Sequence, residues 1–245
     1  MALVENFVNV PTQYGLMPSF TAHPDLPGRF PAIIFYMDAP GYREELCNMA
    51  RRIASRGYYC ILPDMYYRLG TIRFDVARRG DNMTVALLAA AKHLDNKMVA
   101  DDTAGLLAYI DAQDAAAPGK VGCVGHCMSG RFVTTAAGLY PTRFAAVGSL
   151  YGVGIVTDEA DSPHLLFDRV QAEFFYSFAE VDAHVPDKAI EDLKAALKQH
   201  NVRATVEVPS GTQHGYQFAE RPVYAPIQAE HAWERLFDLW ERNLK

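Results

Sequence analysis

The chain has 245 residues, half of them hydrophobic and about a fifth charged, with a formal charge of −6 and eight histidines counted neutral. That composition is globular, and long enough for one large domain with a sizeable core; it excludes a disordered chain. The acidic balance argues against a nucleic-acid partner, because a phosphate backbone asks for a basic face.

No apolar stretch approaches the roughly 18 residues needed to cross a bilayer, so no membrane association is expected. The opening MALVENFVNVPTQYG carries no basic segment followed by an apolar run and does not read as a secretory signal. Four cysteines in such a chain read as reduced thiols of a cytoplasmic protein rather than a disulfide framework.

In chain order, residues 5–10 and 16–22 read as a leading hairpin. PAIIFYM (31–37) is a continuous apolar run of the kind buried on both faces of a sheet. Apolar residues at 46, 49, 50, 53 and 54 then give an amphipathic helix over 43–57, closed by a glycine. YYCILP (58–63) is a strand, and 64–80 a long loop rich in Tyr and Arg.

Helical patterns follow at 81–95 and 100–113, with a strand over 120–126 and a helix over 128–140. Strands are expected at 144–152, 172–179 and 203–209, separated by an irregular segment at 153–170 and a helix at 187–200. A helix over 224–243 closes the chain. Strand–helix alternation without a linker predicts a single domain over 1–245, a doubly wound and mostly parallel sheet flanked by helices, with an N-terminal antiparallel hairpin. Ligands of such sheets sit beyond the carboxyl ends of the strands.

GKVGCVGHCMSGRF (119–132) places Cys127 on a tight turn between strand and helix, with Gly125 and Gly130 close by. This is the layout of a nucleophile elbow. The helix beginning near Met128 aims its free N–H groups at the thiol, which favours thiolate. The Met128 N–H is also placed to hold an oxyanion. Cys123 lies on the strand, starting roughly 13 Å from Cys127 by strand rise. That is too far for a disulfide or a shared zinc, so no metal is expected. Cys123, Cys47 and Cys60 read as small buried hydrophobes.

Two rival readings compete with the elbow. The HC pair with a downstream arginine is similar to the cysteine phosphatases, but only three residues separate Cys127 from Arg131, too few to wrap a phosphate. Ser129 as nucleophile would stand two places past the apex.

A cysteine nucleophile needs a base, and the base an orienting carboxylate. Asp182 follows one late strand and His214 the last strand, in the order nucleophile, acid, histidine. Glu180 and Asp187 are alternative acids. His184 reads as a surface or mouth residue, and His126 as pointing away from the thiol.

Nearly the whole chain resembles the dienelactone hydrolase family of α/β-hydrolases. The resemblance is carried by AIIFYMDAPG, RGYYCILPDMYYR, GKVGCVGHCMSGRF, SLYGVG, AEVDAHVP, HGYQFAERPVY and AWERLFDLW. It implies the α/β-hydrolase fold, hydrolysis of ester or lactone bonds without a cofactor, and a Cys–His–Asp triad mapping onto Cys127, His214 and Asp182. It further implies Ala39 N–H as the second oxyanion donor beside Met128.

Asp38 stands where the family has a thiol-activating glutamate, one methylene longer; the other reading of Asp38 is a cap for the following helix. Ser129 replaces a usual glycine. Arginines at the mouth of the family's site hold a substrate carboxylate, which makes Arg68, Arg73, Arg78, Arg79 and Arg221 candidates, Arg221 reading equally as a structural ion pair and Tyr151 as either pocket lining or a strand cap. The expected partner is therefore a small, anionic ester or lactone, bound by a monomer or homodimer. A different class stays open: a non-catalytic receptor or binding module on the same fold.

Overall fold

The computed structural model describes residues 1–245. Eight strands form one sheet in the order β1-β2-β4-β3-β5-β6-β7-β8. These are β1 (Leu3–Thr12), β2 (Gly15–Pro24), β3 (Ala32–Tyr36), β4 (Tyr59–Pro63), β5 (Val121–His126), β6 (Phe144–Leu150), β7 (Glu173–Ser177) and β8 (Ala204–Glu207). β1 pairs antiparallel with β2, and β2 with β4; every other pairing is parallel.

The helices are α1 (Glu44–Ser55), α2 (Asp81–His93), α3 (Asn96–Asp111), α4 (Ser129–Leu139), α5 (Asp187–Gln199) and α6 (Pro226–Leu244). Crossovers run from β3 to β4 in one direction and from β5 to β6 in the other. Right-handed connections therefore put α1 and α4 on opposite faces. α6 returns to the α1 face, where Arg52 meets Glu230 at 2.5 Å. With both faces covered, β3, β4, β5 and β6 are buried along their whole length, which accounts for the continuous apolar runs of β3 and β4.

The helix expected at 100–113 spans 96–111 instead, because the Asp95 side chain accepts the Met98 N–H at 2.7 Å and starts it earlier. The segment at 153–170 contains a 3-10 turn at Pro163–Leu166. No helix is long and apolar enough to cross a membrane. The strand order reverses between β3 and β5, and the carboxyl ends of these two strands form the crevice where the chemistry-bearing residues gather.

Candidate active site

Cys127 occupies the two-residue turn between β5 and α4 with φ of 54°, a left-handed conformation unfavourable for a residue with a side chain. The surroundings over-determine it. Its N–H donates to Leu150 O at 3.0 Å, and its carbonyl accepts from Gly130 at 3.1 Å and Val153 at 2.9 Å.

The glycines allow the close approach this turn requires. A Cβ on Gly125 would lie 2.7 Å from Ser129 O, and one on Gly130 only 2.3 Å from Gly152 Cα. Ser129 is buried and donates its hydroxyl to Met37 O at 2.5 Å, so it is not presented as a nucleophile.

Of the four free cysteines, only Cys127 is partly exposed. Burial pushes the Cys60 and Cys123 thiols up, leaving them inert. Cys127 opens onto a cavity of about 450 Å³ that also includes His214, Ala39 and Met128. A second cavity of about 440 Å³, between α3, α4 and residues 160–166, contains none of these groups.

The loops after β7 and β8 are joined by a bridge between Val181 and Gln213. Glu180 accepts the Gly211 N–H at 2.7 Å, so this alternative acid holds the histidine loop together. Asp187, the other alternative, begins α5, where a carboxylate suits the helix dipole.

Asp182 Oδ2 accepts from His214 Nδ1 at 2.7 Å, while its Oδ1 accepts the His184 N–H at 2.8 Å. This bond fixes the tautomer: Nδ1 carries a proton toward the acid, and Nε2 is enclosed with no other partner. Burial lowers the proton affinity of His214, but the Asp182 carboxylate and the Cys127 thiol raise it further, to a pKa of about 9. The ring is held edge-on by Tyr151 at 5.0 Å and by His184 at 4.8 Å between centroids. Tyr151 is fully buried and packs against the His214 ring instead of lining the cavity. His184 does line it, in keeping with its reading as a surface or mouth residue.

Ala39 and Met128 are 8 % and 5 % exposed on the cavity wall, and neither N–H is used in the backbone hydrogen-bond network. The Tyr66 hydroxyl donates to Ala39 O at 2.7 Å and so holds the peptide that follows the Ala39 N–H. Two free amides therefore sit beside a thiol, one of them at the N-cap of α4.

Asp38 is wholly buried but makes no hydrogen bond to the thiol. Arg43 Nη1 donates to its Oδ1 at 2.5 Å, and Arg221 Nη2 to its Oδ2 at 2.5 Å. Burial pushes the carboxyl up, yet the Arg43 and Arg221 guanidiniums outweigh it and hold Asp38 below its ordinary value. Nor is it a helix cap, since Arg43 occupies that place in α1 and no side chain caps it. His126 lies beneath this cluster; burial brings its pKa down to about 4, and it meets Gln217 at 2.5 Å.

The arginine candidates divide. Arg68 is paired with Asp102 and Arg73 with Asp64, both at 2.7 Å, and Arg78 lies exposed near Asp75. None of these three reaches the cavity. Arg79 and Arg221 do, accompanied by Lys92 and Arg131, which the reading of the loops passed over. Arg131 stands four places after Cys127, a spacing that puts it one helical turn on.

The dienelactone hydrolase family model matches residues 17–244. A Synechocystis sp. protein assigned as a carboxymethylenebutenolidase is 26 % identical over 97 % of this chain and 96 % of its own length. An Escherichia coli (strain K12) protein with the same assignment is 27 % identical over 98 % of this chain and 88 % of its own. Among solved structures, one from Klebsiella pneumoniae subsp. pneumoniae, assigned as a dienelactone hydrolase, superposes with a TM-score of 0.86 at 21 % identity, covering 99 % and 100 % of the two chains. With the match running through elbow, acid loop and histidine loop alike, the chain belongs to the dienelactone hydrolase family.

Proposed function

We propose that this hydrolase cleaves ester or lactone bonds of small anionic molecules through Cys127, His214 and Asp182. The observation that carries the reading is the bond from Asp182 to His214 Nδ1 with Nε2 left for a thiol at the mouth of the cavity. His214 takes the thiol proton, and the thiolate attacks the carbonyl carbon. The carbonyl electron pair moves onto oxygen, where the Ala39 and Met128 N–H groups stabilise it.

Collapse of this intermediate expels the alkoxide, which leaves with the proton from His214, and a thioester remains on Cys127. In a lactone the released hydroxyl stays in the same molecule. Water, deprotonated by His214, then attacks the thioester; its collapse frees the acid and returns the thiolate. Asp182 holds the imidazole throughout and stabilises the imidazolium. In this scheme Asp38 anchors Arg221 and does not touch the thiol.

The test is chemical. Cys127 is expected to react with iodoacetamide faster than a free cysteine at neutral pH. Cys127→Ala is expected to lose p-nitrophenyl acetate hydrolysis by at least about a thousandfold. Unchanged hydrolysis in that variant, with an ordinary thiol in the parent, would leave only a binding module on this fold.

A further inference from the structure

The wall of the cavity beside Cys127 carries one half-buried cation that makes no ion pair, although Asp95 lines the same wall. Arg221 is neutralised by Asp38, and Arg79 and Lys92 are exposed to solvent. Arg131 differs from all three. Its guanidinium stacks over Phe132 at 4.6 Å, and Nη2 donates to a neutral acceptor, Leu94 O, at 2.7 Å. Its Nε is buried without a partner, and no carboxylate lies within ion-pair distance. Burial lowers its proton affinity, with Asp161 and Asp95 acting on it only from farther away.

A buried charge left unpaired is costly, and a polar group left unsatisfied in a cavity wall calls for an explanation. Holding the Leu94 carbonyl needs one N–H, and a neutral glutamine could supply it. A guanidinium offers a second, forked donor set matched to a carboxylate. Its position on α4 is about 6 Å beyond Cys127 along the helix axis.

We propose that Arg131, rather than the arginines at the mouth, reads the anionic group of the substrate, a carboxylate placed about one helical turn from the scissile carbonyl. This rests on the hydrolase reading for its substrate. It predicts that the ester with a terminal carboxylate three or four bonds from its carbonyl is preferred to its neutral isostere. Arg221, already tied to Asp38, contributes shape and packing over Phe218 at 4.6 Å.

Two ratios test it. The first is kcat/KM for mono-p-nitrophenyl succinate over p-nitrophenyl butyrate. The second is the alkylation rate of Cys127 by N-iodoacetylglycine over N-iodoacetylglycinamide, which needs no turnover and places the carboxylate four bonds from the reacting carbon. Arg131→Met is expected to lower the first ratio by about 10- to 100-fold, chiefly through KM, and the second by about tenfold, as for loss of a charged hydrogen bond. Arg131→Lys, which keeps the charge and a donor for Leu94, is expected to recover part of both; its melting curve separates binding from folding.

Ratios unchanged within about twofold in a folded Arg131 variant overturn the proposal, as does a preference removed by Arg221→Met alone. If the parent protein turns over neither ester while the alkylation ratio falls in Arg131→Met, the hydrolase reading fails and the anion site stands. If turnover is normal and both ratios hold, the reverse is true.

Discussion

Replacing Asp38 by asparagine removes one carboxylate from between two guanidiniums. Asp38 is not exposed at all, and the Arg43 and Arg221 side chains are 9 % and 12 % exposed, so neither cation can rehydrate where it stands. Deleting one partner of a buried pair costs about 3–5 kcal/mol. Arg43 keeps Glu220 as a second partner, which places the expected loss near the lower end, about 3 kcal/mol.

For a chain of this length that lowers Tm by roughly 6–12 °C. The sign of the pH dependence follows from Asp38 being held below its ordinary value. The advantage of the parent over Asp38→Asn is fully present above the unfolded pKa of about 3.9, and it is lost as pH falls through the folded value. Melting curves of both proteins from pH 7 down to pH 3 read this directly. Equal Tm at pH 7, or a gap that does not begin to narrow below about pH 4, would refute the ion-pair account. A variant that melts like the parent while its Cys127 alkylates about tenfold more slowly would show that Asp38 arms the thiol instead.

His214 has a folded pKa raised to about 9, so its contribution to stability is fully present below about pH 6.5 and is lost as pH rises through 9. The Tm gap between the parent and His214→Asn should be widest near pH 6, worth about 3 kcal/mol at most, and closed above pH 9; a gap widening with pH contradicts the Asp182–His214 pairing. Gly130→Ala drives a methyl against Gly152 Cα, backbone on backbone, and is expected to destabilise by about 1–3 kcal/mol or more in urea unfolding, with kcat falling alongside. Tyr66→Phe removes the hydroxyl that anchors the Ala39 carbonyl; a loss of about 1 kcal/mol and a lower kcat at nearly constant KM are expected, and an unchanged kcat would release Tyr66 from any role at the site.

The sheet was readable because burial on both faces leaves unbroken apolar runs, as in β3 and β4. The approach of Cys127, His214 and Asp182 was readable too, since strand ends at one edge of a parallel sheet converge wherever the intervening helices lie. Helix starts were less so. The Asp95 cap and the proline opening α6 were both visible signals that apolar periodicity alone passed over.

The arginines were not legible. Arg68 finds Asp102 at a separation of 34 residues and Arg221 finds Asp38 at 183, and no local pattern announces which carboxylate a flexible side chain will meet. Arg131 was within reach of the sequence, being on the elbow's own helix.

The hydroxyl of Ser129, where the family usually has glycine, ties the strand leading to Ala39 to the first turn of the helix led by Met128. The spacing of the two free amides is then gauged by a bond across the sheet rather than by the posture of a loop. It is set before any ligand arrives. A tetrahedral mimic such as a boronic acid should accordingly find its two donors in place and bind in a single kinetic phase, without a slow closing step. One oxygen atom thus converts a meeting of two chain segments into a fixed jig.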